Sequence, residues 1–196
     1  MTHSLLELKG VGEKGLLKLK KIGIKTVEDL LFHLPIRYQD KTKITNICNT
    51  EEGKKYLLQG VVEKANIAFY KRRMLVVRVS DKTGFVRLRF FYFNKSQIKN
   101  FSIGSNIRFY GEIRVANKVK EIVHPECQFF KKNNVPALEE YLTPIYPVTD
   151  GLHQNSLRRI IKQSLVLLKN KKISFPELLP KEVLKKYKLI DINSAI

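Results

Sequence analysis

The residues best suited to bind a ligand lie in one run of alternating character, FVRLRFFYF, at residues 85–93. Successive side chains of a β-strand point to opposite faces of the sheet, so this alternation separates two sets of residues. The apolar set, which would face a core, consists of Val86, Leu88 and Phe90. The other set combines two guanidinium groups with two rings: Arg87, Arg89, Phe91 and Phe93. Guanidinium groups beside flat rings can neutralise phosphates and stack on unpaired bases, which predicts a nucleic-acid surface.

Two points about this run stay open from the sequence. Flanking helices could cover Phe91 and Phe93 and leave the arginines solvated, in which case this face would bind nothing. Phe90 is ambiguous as well, because strict alternation buries it, whereas a β-bulge would turn it outward.

A second cluster of cations and rings precedes this run, and it consists of Phe69, Tyr70, Lys71, Arg72 and Arg73. Three adjacent cations repel one another unless an anion is near, which predicts a phosphate contact. The alternative is a solvated hairpin tip without a ligand.

Patterns typical of catalysis are missing from the sequence. It contains no G-x-x-x-x-G-K-[ST] phosphate loop, no H-E-x-x-H pair and no nucleophile elbow. The four histidines are isolated from one another along the chain. We therefore expect no catalytic residue, no metal ligand and no cofactor in this chain.

The charge of the chain is concentrated in its middle part. The 196 residues include 37 Lys and Arg against 18 Asp and Glu, a formal net charge of +19. Residues 54–135 carry 18 Lys and Arg against 5 Asp and Glu, a net charge of +13, together with 13 of the 19 Phe and Tyr residues. Such a charge indicates a polyanionic partner, and its overlap with the aromatic residues favours nucleic acid over an acidic membrane surface.

The sequence shows no sign of secretion or of membrane insertion. Two cysteines, Cys48 and Cys127, cannot build a disulfide framework, and the N-terminus lacks an apolar segment of signal-peptide length. The longest apolar runs, at residues 90–93 and 165–168, are too short to span a bilayer. We expect a cytoplasmic protein with reduced thiols that does not bind a membrane.

The first part of the chain, residues 1–53, has the pattern of a helical hairpin. Helices are predicted over residues 13–21 and 27–34, with Gly23 ending the first and Thr26 capping the second. The preceding Gly-Val-Gly at residues 10–12 resembles the helix-hairpin-helix signature, whose turn presents backbone N–H groups to a phosphate. A plain helical hairpin without a DNA contact is the alternative.

The middle part, residues 54–135, has the pattern of short strands. Strands are predicted over residues 56–63, 74–80, 85–93, 107–113 and 121–130, with a hairpin turn at residues 81–84 and one helix over residues 94–101. Pro125 marks an edge or a bulge in the last run. Five strands with a helix between the third and the fourth are typical of an OB-fold barrel.

The last part, residues 136–196, is predicted to be a loop followed by helices. Its main helix would be capped by Ser156 and would place its apolar residues on one face. The complete prediction is an α+β protein: a five-stranded OB-fold β-barrel flanked by an N-terminal helical hairpin and C-terminal helices.

Five segments taken together resemble the N-terminal wedge region of the RecG family of bacterial ATP-dependent DNA helicases. They occur in the order of that family and span most of the chain. The segments are LKGVGEKGLLKLKKIGIKTVEDLLFHLPIRYQDKT, RRMLVVRVSDKTG, RLRFFYFN, YGEIRVANKVKEIVHPE and LTPIYPVTDGLHQNSLRRII.

The resemblance implies a function in DNA repair and recombination. It implies an OB-fold wedge that grips replication forks and Holliday junctions and splits their strands at the branch point. The family's stacking aromatics correspond to Phe90 and Phe91, and its basic contacts correspond to Arg72 and Arg73. The resemblance also implies ATP and Mg²⁺, but in two motor lobes whose motifs this sequence lacks.

The chain is therefore expected to be part of a longer helicase, with motor lobes in the same polypeptide, and to be monomeric. Two other interpretations stay open from the residues alone. One is an OB-fold module that binds RNA, and the other is a small basic nuclease that uses unrecognised carboxylates.

Overall fold

The computed structural model describes residues 3–69 and 73–196 of the chain. These residues form two compact units. The helical unit comprises Met1–Tyr38 and Pro144–Ile196, and the barrel unit comprises Gln39–Thr143.

In the sequence, the barrel unit is one continuous segment inserted between the two segments of the helical unit. The helices are α1 (Glu13–Lys21), α2 (Val27–Leu31), α3 (Lys95–Asn100), α4 (Gln154–Lys169), α5 (Lys181–Tyr187) and α6 (Ile192–Ala195). The strands are β1 (Arg37–Gln39), β2 (Lys55–Phe69), β3 (Arg73–Ser80), β4 (Phe85–Phe90), β5 (Asn106–Glu112), β6 (Arg114–Ala116), β7 (Val119–Val123), β8 (Glu126–Phe130) and β9 (Thr143–Ile145). Single 3-10 turns lie at Leu5–Glu7 and Ile47–Asn49.

The helical unit buries the apolar faces of α1, α2 and α4 in one cluster. The predicted capping box of α2 is present, because the Thr26 hydroxyl accepts from the N–H of Asp29 and the Asp29 carboxylate accepts from the N–H of Thr26. Gly23 has a φ of +85°, the left-handed conformation expected after a helix. The predicted start of α4 is wrong: the helix begins at Gln154, so Ser156 lies inside its first turn and His153 is the N-cap.

The barrel unit contains all five predicted strands, with different ends. β2 continues to Phe69, six residues beyond the predicted end, because its second half pairs with β3. β4 ends at Phe90, three residues before its predicted end, and a bend follows at residues 91 and 92. β6 is an additional short strand that forms a hairpin with β7, and Asn117 and Lys118 at its tip both have positive φ.

The last predicted strand closes the barrel in two pieces. The strand order is β6-β7-β4-β3-β2-β5-β8, so β7 is next to one end of the order and β8 is at the other end, although the two follow each other in the chain. His124 and Pro125 separate them. β7 pairs in parallel with β4, and β8 pairs antiparallel with β5. One interrupted segment of the chain therefore forms hydrogen bonds with two strands that are separated by β3 and β2 in the strand order. Pro125 marks this break, as predicted.

Two glycines permit the close approach of strands in this barrel. A Cβ atom at Gly60 would collide with the carbonyl oxygen of Ser80 and approach Val79 within 2.8 Å, and a Cβ atom at Gly111 would collide with Ile122. β2 bends just after Gly60, where a bulge interrupts its register between Val62 and Lys64. The bend lets one long strand pair first with β5 and then with β3.

Asp81, in the turn between β3 and β4, accepts hydrogen bonds from several backbone N–H groups. The Asp81 carboxylate accepts from the N–H of Thr83 at 2.7 Å, from the N–H of Gly84 at 2.9 Å and from the N–H of Ile47 at 2.8 Å. Burial raises the pKa of Asp81, but these bonds and one from the Thr83 hydroxyl outweigh it and lower the pKa below its ordinary value. Lys120 caps the neighbouring 3-10 turn by donating to three carbonyl oxygens.

Candidate nucleic-acid interface

The side chains of β4 alternate between the barrel core and the surface, as its sequence predicts. Val86 and Leu88 have no exposed surface, and Phe90 is 2% exposed. The ring of Phe90 packs 5.2 Å from that of Phe101 and 5.9 Å from that of His124, measured between centroids. The structure thus places Phe90 in the core. A ring so deeply buried offers no face to a base, so its position does not support the binding role that the family resemblance implies for it.

The outward face of β4 carries two arginines, and only one of them has an ion-pair partner among the described residues. Arg89 forms an ion pair with Glu121 on β7, with 2.8 Å between Nη1 and Oε1, and its guanidinium carbon lies 5.6 Å from the centre of the Phe91 ring. Arg87 is exposed, and no hydrogen bond or ion pair of its side chain occurs within residues 3–69 and 73–196. Arg87 is therefore the cation of this face that is free to bind an anion.

A shallow cavity of about 300 Å³ lies on this face. Its apolar lining comes from Ala68, Met74, Val76 and Ala116, and its polar lining includes Arg87, Arg89 and Glu121. Arg78 lies opposite Arg87 on β3, where like charges would repel. Arg78 is neutralised by Glu63 at 2.7 Å and lies over the ring of Phe85.

Three aromatic residues form a corner after the end of β4, which we call the aromatic corner: Phe91, Tyr92 and His124. Tyr92 is 78% exposed and stacks on the His124 imidazole, with 5.8 Å between centroids and 26° between planes. Phe91 is half-buried. Its backbone N–H donates to His124 Nε2 at 3.1 Å. The corner thus presents rings at the edge of the face that carries Arg87.

Phe93 does not belong to this surface. It packs against the barrel core, and the guanidinium carbon of Arg73 lies 4.9 Å from the centre of its ring. The prediction that Phe93 shares a face with Arg87 is wrong, because the bend at residues 91 and 92 ends the alternation on which it depended.

The hairpin between β2 and β3 carries part of the second predicted cluster. Phe69, the last residue of β2, is 77% exposed and pairs across the hairpin with Arg73, which is also exposed. The remaining predicted members, Tyr70, Lys71 and Arg72, lie outside the described residues. The described residues of the hairpin therefore add one exposed ring and one cation.

Sequence reasoning missed Tyr92 and His124. The predicted faces of the run did not include Tyr92, and the bend after Phe90 leaves its ring exposed. His124 has a φ of +48°, a conformation that few residues other than glycine adopt. No local sequence pattern predicts this angle. The Pro125 that follows was the one available signal, because it marked a break in the strand.

The structure adds three observations on other kinds of site. Within residues 3–69 and 73–196, no group of three or more His, Cys, Asp or Glu side chains could hold a metal ion. In the same residues, no helix is both long enough and apolar enough to cross a membrane. Burial, with a smaller contribution from Glu126, raises the pKa of the Cys127 thiol to about 12, while Cys48 is exposed.

Comparison with known proteins gives one consistent family. The family described as the RecG wedge domain matches residues 7–168. The chain is 44% identical over 178 residues to the ATP-dependent DNA helicase RecG of Haemophilus influenzae and 38% identical over 179 residues to that of Escherichia coli K12. Each match covers 91% of this chain, but the chain spans only about a quarter of the length of these relatives.

A solved structure agrees with the sequence matches. The structure of RecG bound to a three-way DNA junction superposes with a TM-score of 0.73 at 28% sequence identity. The match covers 100% of this chain and 26% of the other. The chain therefore belongs to the RecG wedge domain family.

Proposed function

We propose that this chain is the DNA-binding wedge module of a RecG-type helicase. It would recognise branched DNA such as replication forks and Holliday junctions and would split the strands at the branch point. The observation that carries the proposal is an exposed cation on the outward face of β4, Arg87, which has no partner among the described residues, together with the exposed ring of Tyr92 just beyond the end of that strand. Family membership supports it, because a relative of the same fold was solved on a three-way junction.

Each part of this face has a role in the proposal. Arg87 and Arg73 would contact backbone phosphates, because both are exposed cations. Phe91, Tyr92 and Phe69 would stack on bases unpaired at the branch point. Arg89, held by Glu121, would lie beside the stacked base rather than bind a phosphate alone. Tyr70, Lys71 and Arg72 would complete this interface as further ring and cation contacts.

ATP-driven branch migration would belong to other parts of a longer protein. Relatives of this chain are named ATP-dependent DNA helicases, and the chain covers about a quarter of their length. The sequence contains no G-x-x-x-x-G-K-[ST] phosphate loop, so ATP and Mg²⁺ would be bound by those other parts. No step of ATP hydrolysis is therefore assigned to this chain. We propose motor lobes in the same polypeptide, a monomeric state and a cytoplasmic location.

The same proposal assigns a role to each of three parts of the chain. Residues 54–135 would form the wedge itself, residues 1–53 a helical hairpin and residues 136–196 a helical linker toward the motor. Whether the Gly-Val-Gly turn of the hairpin contacts DNA stays a prediction.

A competition assay tests the proposed function. The chain is titrated against a labelled three-way DNA junction, and linear duplex and RNA hairpins of equal length compete for it. We expect the junction to bind more tightly than either competitor. Preference for RNA hairpins would favour the RNA-binding alternative. Cleavage of the junction in the presence of Mg²⁺, abolished by substitution of a carboxylate, would favour the nuclease alternative.

A further inference from the structure

A second cavity, of about 470 Å³, lies in the barrel unit at the start of β5 and the end of β8. In the sheet, β3 and β2 lie between β4 and β5, so this cavity does not belong to the face that carries Arg87. It is lined by Phe129, which packs against the barrel core, and by Asn100, Ser105, Asn106, Phe130, Lys131 and Lys132. Its volume is within the range of small-molecule binding pockets.

The side chains of this cavity combine a ring with hydrogen-bonding groups. Phe130 lies opposite Asn106 in the pairing of β8 with β5, and its ring is half-buried. The guanidinium carbon of Arg108 lies 5.9 Å from the centre of that ring. Among the residues that the structure describes, the side chains of Asn100, Ser105 and Asn106 make no hydrogen bond within the protein. They are therefore available to both donors and acceptors of a ligand.

Two exposed lysines give the cavity its charge. Lys131 and Lys132 follow β8 in a tight turn, closed by a hydrogen bond from the N–H of Asn134 to the carbonyl oxygen of Lys131 at 2.9 Å. Neither lysine forms an ion pair with any residue in the ranges 3–69 and 73–196. The turn thus holds two uncompensated positive charges beside the Phe130 ring.

Among the residues that the structure describes, no Asp or Glu lines this cavity. α3, whose last residue is Asn100, contains no Asp or Glu. The acidic residues of β5 and β8 lie at the other ends of these strands, where Glu112 contacts Arg114 and Glu126 contacts Lys41 at 2.6 Å. The chemistry of the cavity therefore suits a ligand with a flat ring, hydrogen-bonding edges and a negative charge.

We propose that this cavity is a second binding site for single-stranded DNA, which takes one nucleotide of a strand separated at the junction. The base stacks on Phe130, its edges meet the amides and the hydroxyl, and the adjoining phosphates contact Lys131 and Lys132. This inference rests on the proposed function and adds a strand contact on a different part of the barrel. The wedge then holds single-stranded DNA at two places.

Two variants and a matched control test this site. Phe130→Leu keeps apolar bulk and removes the aromatic face, and the double variant Lys131→Ala/Lys132→Ala removes two charges. The control, Lys54→Ala/Lys55→Ala, removes an adjacent exposed pair near the opposite end of β5. Affinity for a labelled oligothymidylate of about twelve nucleotides is measured at several salt concentrations, since OB folds bind about 4–16 nucleotides.

We expect Phe130→Leu to weaken oligothymidylate binding by about five- to 150-fold, the range for the loss of one stacked base. The Lys131→Ala/Lys132→Ala variant is expected to reduce the salt dependence by about 1.4 in logarithmic slope, or about 0.7 for each phosphate contact, and the control is expected to change it less. Crosslinking of a 5-bromodeoxyuridine oligonucleotide should label the peptide that contains Phe130.

The failure of this site and the failure of the proposed function give different results. If the unmodified chain binds the junction but neither variant changes oligothymidylate affinity and no crosslink forms near Phe130, the second site is wrong and the proposed function stands. If the unmodified chain binds neither the junction nor the oligonucleotide, both proposals are wrong.

Discussion

The Nε2 atom of His124 accepts a hydrogen bond from the backbone N–H of Phe91, with 3.1 Å between the two nitrogens. The backbone N–H of His124 in turn donates to the carbonyl oxygen of Arg89 at 2.9 Å. These two bonds connect the residues that follow β4 to the break between β7 and β8. His124 also supplies the ring on which Tyr92 stacks, so it holds both candidate stacking residues in place.

The first prediction concerns this positioning by His124. His124→Ala removes the acceptor and the ring, and it is expected to weaken junction binding by about two- to twelvefold, the range for one lost hydrogen bond. His124→Phe keeps a ring but no acceptor and should recover only the part that depends on stacking with Tyr92. His153→Ala, which removes an exposed histidine of the helical unit, is the control. Unchanged binding by both His124 variants, measured by fluorescence anisotropy, would contradict the positioning role.

The second prediction separates the two arginines of β4. Arg87→Ala is expected to weaken binding to every DNA shape and to reduce the salt dependence by about 0.9 in logarithmic slope, with little effect on stability. Arg89→Ala leaves the buried Glu121 carboxylate without its partner and should lower the free energy of unfolding by about 1–3 kcal/mol. Salt titrations and urea unfolding of both variants measure these effects. Equal stability losses would show that Arg87 also has a structural partner.

The third prediction separates the two adjacent phenylalanines. Phe90→Ala creates a cavity in the core and is expected to lower the free energy of unfolding by about 3–5 kcal/mol. Phe91→Ala removes a half-buried ring at the surface and should weaken junction binding by about 1–3 kcal/mol, with a smaller stability loss. Thermal unfolding and anisotropy are compared on both proteins. A Phe91 variant that binds normally would make that ring a packing residue only.

The success of alternation in β4 shows what could be predicted from sequence. Val86, Leu88 and Phe90 are all buried because a strand with one face against a core must alternate, and this constraint is local. The bend after Phe90 is not local, since it depends on hydrogen bonds to His124, more than thirty residues away in sequence. For this reason the candidate binding face was predicted at Arg87, but its edge at Tyr92 was missed.

The barrel closure could be predicted only in part for a similar reason. The five strand segments and Pro125 were visible in the sequence, because each strand has its own composition and its own breakers. The parallel pairing of β7 with β4 depends on a chain reversal through the β6–β7 hairpin, whose Asn117-Lys118 turn is a weak signal. The second cavity likewise joins α3, β5 and β8, and no single segment of sequence contains it.

The fourth prediction concerns the close strand crossing at Gly60. Gly60→Ala places a methyl group against the Ser80 carbonyl, and since backbone must move to admit it, the free energy of unfolding should fall by about 1–3 kcal/mol. Gly15→Ala is the matched control, because Gly15 lies inside α1 with only one distant neighbour at 3.9 Å. That control should raise stability by about 0.5–1 kcal/mol through helix propensity. A Gly60 variant as stable as the unmodified chain would mean that the barrel relaxes there at no cost.

The fifth prediction concerns the acid sensitivity that Asp81 gives to the barrel unit. Its pKa in the folded protein lies below the ordinary value of 3.8, because hydrogen bonds to the carboxylate outweigh burial, which raises it. Its contribution to stability is therefore fully present above pH 3.8 and is lost as the pH falls through the lower, folded value. Asp81→Asn removes this titration, so the stability of the variant should fall less steeply than that of the unmodified chain below about pH 4. Urea unfolding at several acidic pH values measures the difference, with Asp150→Asn, at an exposed position, as the control. Parallel curves for the Asp81 variant and the unmodified chain would show that the carboxylate is no better stabilised in the folded barrel than in the unfolded chain.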